Sequence, residues 1–413
     1  MTGALVVFVL TYLVIASGQL AFLKLDRPGA AVVGAAAMVI VGGLPMDDAL
    51  KAIDLHVVIL LFGVLVIAAY LTQAQFFKYV AYLVLTRTRS ARTLLFGLVF
   101  VAGALSAFLL NDTVCIVLTP LVLAVVVETR LPAMPYLLAL AGAANVGGVV
   151  SFSGNPQNMI VGAAAQGTIS FAEYFALVLP VGAACLAANA VVLSVMFRKQ
   201  LHGGALGERT APKPALDKIL AAKGLAALAL FAGLALAGVE LAGAAMAAAA
   251  TLMLAARTGG RDVVAAVDWT LLAFFGGLFV VVAGLEHAGL LDRVFDSVAP
   301  VIARGDLVGD VAFVALIVVG SQIVSNVPLV IVAVHWIPKL PDPRWGYIVL
   351  AVASTLAGNL TPFGSIANII VLESAGPRGE ITFRHFVRYG AVITIIDLVI
   401  AFAILGAERA ILR

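Results

Sequence analysis

Long apolar segments separated by short polar breaks run through the whole chain. Apolar runs of membrane-spanning length cover residues 5–22, 30–43, 57–71, 136–150 and 172–197, and similar runs continue through the second half. A helix needs about 20 predominantly apolar residues to cross a bilayer. The pattern therefore predicts an all-α integral membrane protein with many transmembrane helices. With 63% hydrophobic and only 11% charged residues, the composition excludes a soluble domain of this length.

The apolar pattern occurs twice along the sequence. Residues 54–80 align without a gap on residues 268–294. At the same spacing, the polar break in one apolar run falls on the break in another: Asn111, Asp112 and Thr113 fall on Ser325, Asn326 and Val327. With a small gap, the segment GNPQN at 154–158 also falls on GSIAN at 364–368. Two related halves with polar breaks inside apolar segments are typical of secondary transporters.

The basic residues predict the orientation of the chain in the membrane. If the N-terminus is outside, the basic loops all lie in the cytoplasm: Lys24 and Arg27, residues 78–92, Arg130, the central linker, Arg257 and Arg261, and Arg378, Arg384 and Arg388. This scheme gives about five crossings to each half, so the second half is inserted upside down and both termini are outside. We expect a first repeat at 1–197, a cytoplasmic linker at 198–223 and a second repeat at 224–413.

Each half contains one break that predicts a re-entrant hairpin. Residues 94–110 and 114–127 flank the break at Asn111, Asp112 and Thr113, so the first hairpin covers about 92–130 and enters from the cytoplasm. The second hairpin covers about 308–338 and enters from outside. Backbone groups left unpaired within the bilayer must face protein or a wet cavity. We therefore expect the two tips to meet near the midplane.

A second kind of break follows each hairpin and predicts a discontinuous helix. The polar segments at 151–158 and 358–365 interrupt apolar runs, giving broken helices at about 134–165 and 346–376. Glycine lets the backbone unwind there, and proline removes a hydrogen-bond donor. The N-terminus of a half-helix attracts an anion, whereas unwound carbonyl groups offer oxygen ligands to a cation. Such a gap is suited to binding a solute beside a coupling ion.

Four of these segments carry a resemblance to a known family: NDTVCIVLTP at 111–120, GNPQN at 154–158, SNVPLVIVA at 325–333 and TPFGSIAN at 361–368. The sequence resembles the ion transporter superfamily, which includes citrate and dicarboxylate carriers, arsenite permeases and sodium/proton antiporters. The resemblance covers nearly the whole chain. It implies two inverted repeats, each with a re-entrant hairpin and a broken helix, and a homodimer with elevator-like motion. The Asn-Asp tip and the Thr-Pro-x-Gly-Ser run are more similar to the arsenite-permease branch, whereas GNPQN is similar to anion-transporter members.

Asp112 is the one acidic residue at a predicted hairpin tip. A carboxylate near the bilayer centre costs at least about 2.5 kcal/mol and usually marks an ion or proton pathway. An ionised Asp112 attracts Na⁺ or H⁺ and repels a multiply charged anion, which favours a weakly charged or neutral solute such as arsenite. The alternative is a structural aspartate that caps the second helix of the hairpin.

Other polar residues within apolar segments carry weaker hypotheses. Asn145 and Asn359 match across the repeats, in the helices before the breaks. Asp54 and Asp268 begin matched helices and are predicted to be N-terminal caps. Asp397 lies inside the last apolar run, where it either pairs with another helix or titrates.

We expect a secondary active transporter and not an enzyme. It moves a small anion or oxyanion, arsenite-type or a small carboxylate, across a bacterial-type inner membrane by alternating access coupled to H⁺ or Na⁺. A sodium/proton antiporter is the alternative, and a channel is a third possibility. No cofactor or nucleic acid is expected, and the surroundings are membrane lipid. The predicted solute ligands are Asn111, Thr113, Asn155, Gln157, Asn158, Ser325, Asn326, Thr361, Ser365 and Asn368. The predicted ion-coupling residues are Asp112, Asn145, Gly154, Asn359 and Gly364.

Overall fold

Helices account for most of the computed structural model, which describes residues 2–17, 19–20, 25–201, 213–257, 260–376 and 381–412. A short antiparallel pairing joins β1 (Gln19–Leu20) to β2 (Leu25–Asp26) between the first two helices. The helices of the first half are α1 (Thr2–Ser17), α2 (Arg27–Ile40), α3 (Met46–Ala52), α4 (Leu55–Gln73), α5 (Phe76–Arg87), α6 (Ala91–Ser106), α7 (Asn111–Thr129), α8 (Ala133–Gly148), α9 (Pro156–Ala164), α10 (Phe171–Met196) and α11 (Arg198–Leu201).

The second half has ten further α-helices among the described residues. They are α12 (Lys218–Leu236), α13 (Leu241–Ala256), α14 (Gly260–Ala265), α15 (Trp269–His287), α16 (Leu290–Ile302), α17 (Leu307–Val324), α18 (Asn326–Ala333), α19 (Pro343–Ala357), α20 (Ile366–Ala375) and α21 (Phe383–Leu412). Two 3₁₀ helices lie at Val334–Lys339 and Pro362–Gly364.

The protein is a multi-pass membrane protein. In the part of the chain that the structure describes, seven helices are long and apolar enough to cross a bilayer: α4, α7, α10, α12, α15, α17 and α21. Large apolar side chains such as Leu254, Ile323 and Val399 are exposed on the surface, as contact with lipid requires.

The segment between the halves differs from its predicted bounds. α12 already begins at Lys218, capped by the Asp217 carboxylate, so the last six residues of the predicted linker are helical. The polar stretch at 202–212 lies outside the described residues, as do Lys24 and Arg378 of the orientation argument.

Two crosswise helix pairs join the halves, and they use matched residues. α4 of the first half packs against α13, and α15 of the second half packs against α2. A Cβ built on Gly63 would lie 2.8 Å from the Ala245 carbonyl carbon, and one on Gly277 would lie 2.7 Å from that of Ala31. Glycine is therefore required at both crossings, because any side chain would push the helices apart. Gly63 and Gly277 are as far apart in sequence as Ala31 and Ala245, so the two crossings use corresponding residues.

A second crosswise arrangement surrounds the breaks. α8 and α9 are separated by residues 149–155, and α19 and α20 by residues 358–365. α9 packs against α18 and α19 of the second half, whereas α20 packs against α7 and α8 of the first. Each break thus lies beside helices of the opposite half. This brings the polar residues of both halves together in the interior.

Candidate functional site

A cluster of five buried polar residues lies between the two breaks, and we call it the Asn145 cluster (Asn111, Asn145, Asn359, Ser365, Asn368). The Asn145 side-chain oxygen, Oδ1, accepts hydrogen bonds from Asn111 Nδ2 and Ser365 Oγ, both at 3.0 Å. Its Nδ2 donates to the side-chain oxygens of Asn359, at 2.8 Å, and Asn368, at 3.0 Å. Asn145 therefore uses its whole hydrogen-bonding capacity to join four residues.

A second buried group, the Thr355 cluster (Asn155, Gln157, Asn158, Thr355), joins the first broken helix to Thr355 of α19 in the second. The Thr355 hydroxyl oxygen accepts from Asn155 Nδ2 at 3.2 Å and Gln157 Nε2 at 3.3 Å. The same hydroxyl donates to Asn158 Oδ1 at 3.1 Å. Asn155 also caps α9 by accepting from the backbone N–H of Asn158 at 2.8 Å. The polar groups of this cluster are thus paired with one another.

Asn158 and Asn368 hold the two breaks in the same way. Asn158 Nδ2 donates to the carbonyls of Gly148, at 3.1 Å, and Ser151, at 3.2 Å. Asn368 Nδ2 donates to the carbonyls of Gly358, at 2.6 Å, and Thr361, at 3.0 Å. These bonds satisfy carbonyl groups that the ends of α8 and α19 leave without helical partners.

The equivalence predicted between Asn145 and Asn359 is wrong. Asn145 and Thr355 are as far apart in sequence as Asn158 and Asn368, which makes Asn145 correspond to Thr355. Their contacts agree with this correspondence. Asn145 bonds to Ser365 and Asn368 of the opposite half, just as Thr355 bonds to Asn155 and Asn158. Asn359 is instead a direct partner of Asn145. A match between identical residue types misled the alignment, because asparagine and threonine fill the corresponding positions.

The predicted register of the two tips is also wrong, by one residue. Asn111 is the first residue of α7, and its Oδ1 accepts from the next backbone N–H at 2.9 Å. Asn326 begins α18 with the same contact at 2.9 Å. Asn111 thus corresponds to Asn326, and Asp112 to Val327. The ungapped alignment failed because α16 and the loop after it, residues 303–306, are each one residue longer than α5 and residues 88–90, whereas the starts of α17 and α18 are one residue closer together than those of α6 and α7.

Asp112 is not a capping residue. Leu110 precedes α7 and no side chain caps this helix, while Asp112 lies in its first turn. The Asp112 side chain is 4% exposed, and no described residue donates a hydrogen bond to its carboxylate. The helix dipole is the local feature that favours a negative charge there. The capping interpretation therefore fails on the geometry.

The Asp112 carboxylate lines a cavity of about 770 Å³, which we call the first cavity. Thr113 lies beside it, and α20 contributes Ile366, Ile370 and Glu373 to the wall. The described lining residues include five acidic side chains and one basic one: Asp26, Asp112, Asp262, Asp268, Glu373 and Arg27. Asp26, Asp262 and Glu373 in this set are exposed, so the cavity runs from the buried Asp112 carboxylate to the protein surface. Its charge favours a cation.

The tip of the second half lines a different cavity, of about 360 Å³, which we call the second cavity. Ser325 contributes to its wall, together with Tyr12 and Gln322. Three residues, Arg27, Phe274 and Ile366, line both cavities and so form the wall between them. Asp112 of the first tip and Ser325 of the second thus line different cavities, and the expectation that the two tips meet near the midplane stays a prediction.

The predicted ligands consequently fall into two groups. Asp112, Thr113 and Ser325 line cavities. The asparagines, Gln157 and Ser365 lie in the interior, and Thr361 donates to Gln322 at 2.8 Å. Gly154 accepts from the Asn111 backbone N–H at 3.0 Å, and both it and Gly364 lie too close to neighbouring backbone for any side chain. A direct role for this second group in binding stays a prediction, since their present partners would have to be released.

Asp54 and Asp268 have the predicted structural role. Asp54 accepts from the backbone N–H groups of His56 and Val57, and Asp268 from those of Thr270 and Leu271. N-terminal capping is thus confirmed for both, although Asp268 also lines the first cavity. Asp397 is fully buried, and its Oδ2 accepts from Asn189 Nδ2 of α10 at 3.2 Å, so it pairs with another helix.

Residues 10–342, which include both tips, α8 and α9, match the CitMHS (citrate transporter) family. The chain belongs to this family. It is therefore a secondary transporter, and the resemblance drawn from the four motifs is confirmed at family level.

Relatives of this CitMHS protein carry several names. It is 29% identical to the silicon efflux transporter LSI3 of Oryza sativa subsp. japonica, over 93% of each chain. It is 28% identical to the 46 kDa membrane protein of Mycobacterium leprae over 96% of each chain, and 25% identical to the transporter arsB of Dictyostelium discoideum over 96% and 90%. The fold is similar to the crystal structure of the Alcanivorax borkumensis YdaH transporter, with a TM-score of 0.62, 14% identity, and 99% and 97% of the chains covered.

Two residues of this CitMHS protein escaped the sequence analysis. Thr355 sits in an apolar helix, and the signal for it was available, since the offset from Gly154 to Gly364 leads from Asn145 to Thr355. Arg27 was assigned only to a basic loop. It lines both cavities, and nothing in the local sequence distinguishes it from the arginines of other loops.

Proposed function

We propose that this CitMHS protein is a cation-coupled transporter of a small oxyacid or oxyanion, and that Asp112 binds the coupling H⁺ or Na⁺. The observation that carries the proposal is the position of Asp112. Its carboxylate is buried, accepts no hydrogen bond from a described residue, and forms the inner end of an acidic cavity that reaches the surface. A carboxylate in this setting favours a cation or a proton as its partner.

The duplicated contacts support the proposal that the chain is two inverted repeats. Gly63 and Gly277 make corresponding crossings, and Asn158 and Asn368 hold corresponding breaks. A pair of repeats with odd numbers of crossings provides two related arrangements, which alternating access requires. The buried N-termini of α7 and α18 also support re-entrant hairpins at about 92–130 and 308–338.

The predicted orientation agrees with the position of the first cavity. Its exposed polar residues lie at the starts of α2 and α15, in α14 and near the ends of α4 and α20, all of which the positive-inside argument assigns to the cytoplasmic side. We propose an inward-open state in a cell membrane, with both termini outside, and a homodimer as the assembly.

The charge of the first cavity bears on the solute. Five carboxylates and one guanidinium repel a multiply charged anion such as citrate more than an uncharged oxyacid. Silicic and arsenious acids are largely uncharged near neutral pH, and the rice relative is named a silicon efflux transporter. We therefore favour an oxyacid of this class over citrate.

Flux measurements in proteoliposomes test this function. Purified protein would be reconstituted and supplied with arsenite, silicic acid or citrate, with and without an imposed pH or Na⁺ gradient. We expect saturable, gradient-driven flux of an oxyacid. Gradient-driven Na⁺/H⁺ exchange with no solute flux would instead establish the sodium/proton antiporter, which the acidic cavity also favours, and flux proportional to solute concentration without saturation would indicate a channel.

A further inference from the structure

The two cavities differ in the sign of their charge. The first cavity has several carboxylates around Asp112. The described lining of the second cavity contains one charged residue, Arg27, and no carboxylate. One wall thus separates a space that favours a cation from a space that favours an electron-rich oxygen atom.

Arg27 is fixed in this wall by its local structure. It is the first residue of α2, whose start is capped by Asp26 through a bond from the Gly29 backbone N–H at 2.9 Å. Its Nε donates to the carbonyl of Ile15 in α1 at 3.0 Å. No described residue accepts a hydrogen bond from its two terminal nitrogens. A guanidinium held at Nε with both terminal amino groups unused presents two adjacent donors to an oxyanion or oxyacid.

The second cavity contains further neutral polar groups. Tyr12 is 5% exposed, and its hydroxyl has no hydrogen-bond partner among the described residues. Ser325 lies half-buried in the same wall, and Gln322 is held there by its bonds to Thr361 and the Ala357 carbonyl. A buried hydroxyl without a partner costs free energy, and an oxygen-rich solute in this cavity is a suitable partner.

We infer that the solute and the coupling cation occupy different cavities: the oxyacid or oxyanion binds in the second cavity against Arg27, and the cation binds in the first against Asp112. This inference rests on the proposed function. Arg27 is then the residue that recognises the solute, and the wall of Arg27, Phe274 and Ile366 is where occupancy of one cavity affects the other.

Protection of single cysteines at the two tips tests this arrangement. Thr113→Cys and Ser325→Cys would be made in a Cys115→Ala/Cys185→Ala background, which removes the two buried native thiols. The rate of modification by a charged methanethiosulfonate would be measured at constant pH with silicic acid or citrate, and separately with Na⁺, because arsenite binds thiols directly and low pH protonates them. We expect solute to slow modification at position 325 by about fivefold or more and to leave position 113 unchanged, since a bound solute shields only the cavity that it fills. The cation should act in reverse, and solute protection at position 113 would overturn the inference.

Substitutions of Arg27 give an independent readout. Arg27→Gln should weaken solute binding by at least about tenfold, because a charged two-donor contact is lost. Arg27→Lys, which keeps the positive charge, should restore only part of the affinity and should leave thermal stabilisation by Na⁺ within about twofold of that of the parent protein. Arg304→Gln is the matched control, since Arg304 is half-exposed, pairs with Asp306 and lines neither cavity.

Two outcomes distinguish a failure of the proposed function from a failure of this inference alone. If the unaltered protein binds none of arsenite, silicic acid and citrate, the proposed function fails and this inference fails with it. If it binds a solute and Arg27→Gln binds it equally well, this inference alone is overturned.

Discussion

The two halves of the molecule share their contacts but not their charge. Asn111 and Asn326 begin matched helices with the same local hydrogen bond. The next residue is an aspartate in the first half and a valine in the second, and the aspartate lines a cavity while Val327 is 2% exposed and lines neither cavity. The comparison teaches that two helix starts with the same local hydrogen bond can have different surroundings. The side chain of the next residue, Asp112 or Val327, then decides which of the two helix starts favours a cation.

The largest expected effect is on the charged tip. Asp112→Asn keeps the shape of the side chain and removes its charge, so we expect gradient-driven transport to fall by about two orders of magnitude and to lose its dependence on the cation. The measurement is flux against imposed Na⁺ and pH gradients. Asp262→Asn, which removes an exposed carboxylate from the rim of the same cavity, serves as the control and should change little. Unchanged cation dependence in Asp112→Asn would refute its coupling role.

The Asn145 cluster and the Thr355 cluster should both stabilise the fold, and substitutions in the two clusters should differ only in how much stability they remove. Asn145→Leu removes four hydrogen bonds and strands buried groups on Asn111, Asn359, Ser365 and Asn368, so we expect a loss of about 4 kcal/mol in the free energy of unfolding. Thr355→Val removes three bonds and should cost about 2 kcal/mol. Thermal or denaturant unfolding in detergent measures both. A larger effect at Thr355 would contradict the ranking.

Moving the charge to the second tip sharpens the comparison. Val327→Asp places a carboxylate at the position equivalent to Asp112 but away from both cavities, so we expect a loss of about 3 kcal/mol in stability. Val327→Asn is the uncharged control and should cost less. If Val327→Asp is as stable as the parent protein, then the second tip is as accessible to water as the first.

The glycine crossings should respond alike in the two halves. Gly63→Ala and Gly277→Ala each place a methyl group against the backbone of a facing alanine, and each should cost about 1–3 kcal/mol. Gly276→Ala is the matched control, because a Cβ there meets nothing within 4 Å. Melting temperatures of the three variants measure the difference. A large loss in only one half would break the proposed equivalence of the repeats.

The smallest effect concerns the N-terminal caps of α6 and α17. Ser90 caps α6, whereas Asp306 caps α17, and the hydrogen bond from Arg304 lowers the pKa of the Asp306 carboxyl below its usual value. A lowered pKa in the folded state stabilises the protein above the usual aspartate pKa, and this stabilisation is lost as the pH falls through the lowered value. The difference in melting temperature between the parent protein and Asp306→Ser should therefore shrink on acidification. A difference independent of pH would rule out this contribution.

Much of the fold could be predicted from local patterns of apolar and polar residues in the sequence. The breaks near residues 111, 154, 325 and 364 interrupt apolar runs, and local chemistry makes them visible because glycine, proline and asparagine disfavour a continuous helix. The caps at Asp54 and Asp268 were predictable for the same reason, since a cap contacts the backbone N–H groups of its own helix.

The errors lie where distant residues meet. The pairing of Asn145 with Thr355, and the shift of one residue at the second tip, depend on contacts between segments far apart in sequence. An ungapped alignment keeps one offset along the whole half, so it cannot follow the changes in helix and loop length that shift the register at the tips and at the breaks. Geometry supplies both registers.

The sequence by itself determined the membrane class, the duplicated pattern, the family and the presence of one carboxylate, Asp112, at a polar break in an apolar run. Only the tertiary structure decided that the two tips face separate cavities and that Arg27 lies in the wall between them. The physical reason is that hydrophobic periodicity and helix breaks are local properties of the chain, whereas a cavity is bounded by helices from both halves whose crossing distances are set by glycine contacts such as those of Gly63 and Gly277.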